Sequence, residues 1–140
     1  MLKRIITICD CIVMILLAIY AVLFCIPTLF GIKPVNVLSG SMEPYIPTGS
    51  IAYVKAMDLD KIHRDDVIAF ELDNGSLVLH RVKEISPENE ITTQGDANDN
   101  EDFATVREEQ LRGKMIFRIP YAGTVYQRVT KPSVCIGLLI

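Results

Sequence analysis

Residues Cys11 to Phe30, CIVMILLAIYAVLFCIPTLF, run for 20 positions without a charge. A helix rising ~1.5 Å per residue would cover the roughly 30 Å hydrocarbon core of a bilayer over that length. One membrane span is therefore the first expectation. A cleaved leader is the rival, because the run lies near the N-terminus behind Lys3 and Arg4. The apolar part of a leader is usually about 7 to 15 residues and is followed by small residues. Here the run is longer and ends Pro-Thr-Leu-Phe-Gly, so it is expected to persist as an anchor. Lys3 and Arg4 favour a cytoplasmic N-terminus, although Lys33 on the far side makes the asymmetry small. Everything after residue 33 is then expected outside the cytoplasm, at the cell membrane.

The rest of the chain is short. With 140 residues in all, there is room for one further domain. The apolar fraction of 50% and mean hydropathy of +0.32 are concentrated in the anchor. Cys9, Cys11, Cys25 and Cys135 all lie in or beside apolar segments, with none between Lys33 and Lys131. That placement argues against a disulfide-stapled scaffold and against a cysteine metal site. A net charge of -3 offers no basic stripe for nucleic acid.

After Pro34 the pattern changes to short β-branched segments separated by turn residues. Strands are predicted at Val35 to Leu38, Ile51 to Lys55, Val67 to Leu72, Leu77 to Ile85, Ile91 to Gln94, Met115 to Ile119 and Thr124 to Val129. Asp73-Asn74-Gly75 between two of them is a hairpin signal, since Asn and Gly tolerate positive φ. The expectation is an N-terminal transmembrane helix followed by a mainly β domain. Its divisions are anchor and hinge at 1–33, an extracytoplasmic β-rich domain at 34–131, and an apolar tail at 132–140 whose relation to the membrane the sequence leaves open. Gly31-Ile32-Lys33-Pro34 is read as the hinge.

Two histidines make the search for a base short. His63, in DKIHRDDV, lies in a charge-rich link and reads as a solvated residue. His80, in SLVLHRV, shares a strand face with Val78 and Val82. Taken alone it reads as a core histidine; a partner is needed to make it a base. The acidic loop GDANDNED, Gly95 to Asp102, offers one. Asp96, Asn98 and Asn100 also have the alternation of a calcium loop, but the sixth position is Glu101 where glycine is required and the twelfth is Arg107 where a glutamate is. Calcium is not expected. Ser41, in NVLSGSMEPYIPTG, sits in a glycine-hinged turn after the first strand. A hydroxyl in a tight turn, a histidine on a strand and an aspartate in a later loop are the parts of a Ser, His, acid mechanism, whatever their chain order.

The ordered motifs SGSMEP, LHRV, GDAN followed by Asp102, and RGKMIFRIPYAG resemble those of the type I signal peptidases, specifically the endoplasmic-reticulum type that also occurs in archaea and some Gram-positive bacteria. The resemblance runs from the anchor to about Gly123. His80 stands before Arg81 where the common bacterial enzymes have a lysine base; Lys83 points to the other strand face and is a poor replacement. The resemblance implies Ser41 as nucleophile, His80 as general base and Asp102 as the acid that orients it. Asp96 matches a second acid, and Asp99 is a stand-in because spacing in this loop is the weakest part of the match. Ser39 matches a position whose hydroxyl helps to bind the oxyanion in the lysine-dependent enzymes.

The implied substrates are exported preproteins still held in the bilayer by their signal peptides, cut after small residues. Met42, Tyr45 and Ile46, flanked by Pro44 and Pro47, are read as substrate-binding or lipid-contacting residues of the nucleophile loop. No metal or organic cofactor is called for, and the oligomeric state is not specified. The alternative from another class is a catalytically inactive membrane-tethered β-domain that binds or assembles exported proteins. A self-cleaving repressor of the related Ser-Lys fold is argued against by the anchor and by the absence of a DNA-binding half.

Overall fold

The computed structural model describes residues 1–129, so the predicted tail at 132–140 lies outside the described residues. One helix extends over Leu2–Leu29 and is long and apolar enough to cross a membrane, with none of its most apolar window buried. It is α-helical over Leu2–Tyr20, widens to a π-helix over Ala21–Cys25, and closes with a short α-helical turn over Ile26–Leu29. Pro27 explains the irregularity. It has no amide hydrogen to give to the carbonyl four residues back, which belongs to Leu23. The hydroxyl of Tyr53, from the β domain, donates to that Leu23 carbonyl at 2.8 Å.

Six strands follow: β1 (Ile32–Asn36), β2 (Ile51–Lys55), β3 (Val67–Glu71), β4 (Leu77–Ile85), β5 (Ile91–Gln94) and β6 (Leu111–Ile119). They form one antiparallel sheet in the order β1-β2-β6-β3-β4-β5. Alternation along the strands builds a core on each face. Val37, Met42, Ile46, Ala52, Val54, Val67, Ala69, Leu79 and Met115 pack together on one side, and Leu59, Ile62, Ile68, Phe70, Val82, Ile91 and Val106 on the other.

The expected strands at Ile51, Leu77 and Ile91 appear with the predicted limits, and β3 ends one residue early. Three segments differ. β1 starts at Ile32, inside the stretch read as a hinge, and Gly31 with φ 70 makes the turn from helix to strand. β6 starts at Leu111, four residues early, because Gly113 carries the strand through a φ of 140 where the backbone of Lys55 approaches too closely for a Cβ. The predicted strand at Thr124 to Val129 is instead a helix, Ala122–Val129. Its β-branched residues suggested extended chain, yet the chain turns sharply at Tyr121, with φ 60, and the amide of Thr124 then bonds the Gly49 carbonyl at 3.0 Å.

Candidate active site

The loop carrying Ser41 is pinned at both ends. The amide of Val37 donates to the Ser50 carbonyl at 2.9 Å and that of Gly49 to the Val37 carbonyl at 2.8 Å, closing the neck of the excursion. Within it, Glu43 accepts bonds from the Thr48 hydroxyl at 2.7 Å and the Thr48 amide at 3.1 Å, which hold its carboxyl below the usual carboxylate range. Met42 and Ile46 point into the first core, at 1% and 0% exposure. The expectation that these two touch lipid is therefore corrected: Met42 and Ile46 anchor the loop in the core, and of the three only Tyr45 is exposed, at 40%.

A second fixture holds the Ser41 loop from outside. The Ser41 carbonyl accepts a bond from the amide of Ala97 at 2.9 Å. A Cβ on Gly95 would come within 2.6 Å of that same carbonyl oxygen, so the turn after β5 can approach only because residue 95 is glycine. Arg81 braces this turn: its guanidinium donates to both carboxylate oxygens of Asp96, at 2.8 and 2.6 Å, and to the Asp65 carbonyl at 2.8 Å. The Asp96 carboxylate pushes the pKa of Arg81 further up. Such forked pairs fix geometry as well as charge.

His80, 9% exposed, lies on β4 with its ring edge-on to Phe70. Its Nδ1 is 2.5 Å from Oδ2 of Asp102, and the hydroxyl of buried Thr93 donates to the same oxygen at 2.6 Å. Asp102 is in turn positioned by its amide, which donates to the Thr93 carbonyl at 2.8 Å. The loop after β5 thus sorts the three acids that sequence alone left open. Asp102 meets His80, Asp96 meets Arg81, and Asp99 stands exposed in solvent. Thr93 was missed, because a threonine in a strand carries no signal until its cross-strand partner, Val82 beside the histidine, is known.

The Oγ atoms of Ser39 and Ser41 lie 3.4 Å apart. No hydrogen bond joins Ser41 Oγ to His80 in the described residues, so the two halves of the site meet through the backbone of the 95–97 turn. Catalytic hydrogen bonds are often loose before substrate binds. Beside the two serines runs a cleft of about 250 Å³ lined by Val35, Val37, Leu38, Met42, Leu77 and Leu79, among others. Among the described residues it lies between β1, which pairs only with β2, and the first half of β4, which pairs only with β3 until Arg81 meets Gln94, so both walls are sheet edges there.

A membrane-length helix, a β domain and a serine loop beside a histidine and acid define a membrane-attached protein built like a serine peptidase. Residues 8–96 match the signal peptidase family, peptidase S26, and the chain belongs to that family. The matched stretch takes in Ser39, Ser41, His80 and Asp96 and ends before Asp102. The chain is also similar to "Signal peptidase I W" of Bacillus subtilis (strain 168), at 37% identity over 99 residues, which is 67% of this chain and 52% of that relative. The chain thus spans about half the length of the relative.

Proposed function

We propose that the protein is a membrane-bound serine endopeptidase that removes signal peptides from exported preproteins. The observation that carries this reading is the chain from Thr93 through Asp102 to His80 Nδ1, set beside a serine at the end of an apolar cleft with open strand edges. With Nδ1 held by Asp102, the imidazole keeps Nε2 as proton acceptor.

An extended substrate segment adds to the free edge of β4 by main-chain hydrogen bonds and presents alternate side chains to the cleft. The walls of Val35, Leu38, Met42 and Leu79 offer those side chains an apolar surface. Neutral His80 takes the proton of Ser41 as Oγ attacks the carbonyl carbon. The carbonyl electrons move onto oxygen, where the Ser39 hydroxyl and the Ser41 amide are the candidate donors, a kind of contact worth about 3 kcal/mol each. When the tetrahedral species collapses, His80 returns the proton to the leaving amine, and water, activated by the same imidazole, releases the acyl group. Asp102 holds the ring and stabilises the imidazolium throughout.

The anchor places enzyme and preprotein in one bilayer, which raises their effective concentration. In the proposed topology the N-terminus is cytoplasmic and the domain from about residue 34 faces the other side. The test is cleavage of a membrane-embedded preprotein by the wild type and by Ser41→Ala, His80→Ala and His80→Lys, with the new ends identified by mass. Loss of cutting after a small residue in the first two variants is expected. Equal cleavage by wild type and Ser41→Ala would sink the reading and leave the inactive tethered domain in its place.

A further inference from the structure

The apolar cleft beside Ser39 and Ser41 does not end at Val35 and Leu77. Both residues also line a second cavity, of about 370 Å³, which continues along the same face of the sheet away from the serines. Its floor includes Val54 and Ala69, which belong to the same core as Val37, Met42 and Leu79 in the first cleft. The two walls agree on its direction. On one side the lining moves from Leu38 back to Lys33, and on the other from Leu79 back to Leu77 and its cross-strand partner Glu71.

The character of the walls changes along this length. Beside the serines they are apolar, whereas the far end carries Lys33, Glu71 and Arg112. Arg112 is committed there: its Nε donates to Glu71 at 2.9 Å and its guanidinium also donates to the Glu109 carbonyl at 2.7 Å. Lys33 is exposed and has no carboxylate partner among the described residues. The far end therefore keeps one unbalanced positive charge.

Lys33 and Leu38 are separated by roughly 17 Å of extended chain at ~3.3 Å per residue, a length that an extended peptide covers with about five residues. Lys33 also follows closely on the membrane helix, which ends at Leu29. A preprotein cut at Ser41 while its signal peptide stays in the bilayer would enter the groove from that end.

We propose that the two cavities form one groove for the substrate segment before the scissile bond, and that Lys33 selects an acidic over a basic side chain about five residues before the cut. The inference rests on the peptidase reading for the identity of the peptide and adds to it a determinant of charge. Lys33 takes no part in the chemistry.

The full chain carrying Ser41→Ala, in detergent, is titrated into a dye-labelled peptide that spans the signal-peptide junction of an exported preprotein, with Asp or Lys placed in turn at each position on both sides of the cut. Asp should bind about two- to fivefold tighter than Lys, the scale of an exposed ion pair, and only at about the fifth residue before the cut. Lys33→Gln should remove the preference and Lys33→Glu should reverse it. The control Lys61→Glu, exposed and paired with Asp58, should keep it. Equal binding of Asp and Lys at that distance overturns the proposal, as does a preference spread along the whole peptide, one that survives Lys33→Glu, or no binding of any form. The peptidase reading fails separately, if wild type and Ser41→Ala cut the preprotein alike, whatever the peptide preference.

Discussion

The backbone of Ser41 is held by Ala97, whose amide donates to the Ser41 carbonyl at 2.9 Å across 55 intervening residues. The serine proposed as nucleophile is thus located by the same loop that supplies Asp102. Gly95→Ala should disturb it, since the new methyl would meet that carbonyl at 2.6 Å. The expected outcome is a fall in kcat of about 10- to 100-fold with a stability loss of about 1–3 kcal/mol, checked by preprotein cleavage and urea unfolding.

Asp102→Asn removes the charge that stabilises the imidazolium. A loss in kcat of about 10⁴-fold is expected by analogy with other Ser-His-Asp sites. Thr93→Val, which takes away one donor to Asp102 Oδ2, should cost about tenfold and leave the fold intact. Steady-state kinetics on the two variants, beside a thermal melt, separates orientation from folding.

The proton-accepting role proposed for His80 requires a neutral ring, so activity should fall on the acid side. The pH–rate profile of the wild type should carry this acid limb, and in any His80→Lys variant that retains activity the limb should move to higher pH. A flat acid side in the wild type would count against His80 as base.

Arg81 and Asp96 are part-buried and paired through both oxygens. Arg81→Met leaves a carboxylate without its partner beside the nucleophile turn and should destabilise the domain by about 1–3 kcal/mol, whereas Asp96→Asn should cost less. Arg81→Lys keeps the charge and loses the fork, so it should fall between them. Chemical denaturation of the three variants orders them.

Burial pushes the pKa of the Tyr53 phenol up from the ordinary value of 10.0. The unfolded chain then loses this proton first as pH rises. The stabilisation is complete below the ordinary value and is lost as pH climbs from there through the raised folded-state value. The melting temperature of the wild type should therefore fall more steeply in that alkaline range than that of Tyr53→Phe. The same variant also frees the Leu23 carbonyl, so at neutral pH it should melt lower, by about 1 kcal/mol of stability.

Strands were legible wherever alternation and turn residues agreed, as at Leu77–Ile85 after Asp73-Asn74-Gly75. They were misplaced where tertiary contact outweighed the local signal. The last strand was begun at Met115, short of Gly113, which lies within it pressed against Lys55; Thr124 and Val125 read as strand and lie in a helix docked on Gly49. Within the site, Ser41 and His80 were singled out from residue type, motif order and the family resemblance. The choice among Asp96, Asp99 and Asp102 needed the path of a loop that sequence spacing does not determine. Met42 and Ile46 looked exposed because prolines and polar residues flank them, but a loop this short folds back on its own domain and hides its apolar side chains.

The first half of β4 has a consequence beyond the reaction. Main-chain groups at a sheet edge take almost any extended segment, and proteins usually cover such edges to avoid pairing with strangers. Here the edge next to Ser41 is left open among the described residues, beside an apolar cleft. If the protein cuts preproteins as proposed, much of its discrimination comes from address: a helix ending at Leu29 and clasped through Leu23 by Tyr53 ties the edge to the anchor. Segments that emerge from the same bilayer can reach it, and the many flexible chains elsewhere in the compartment cannot.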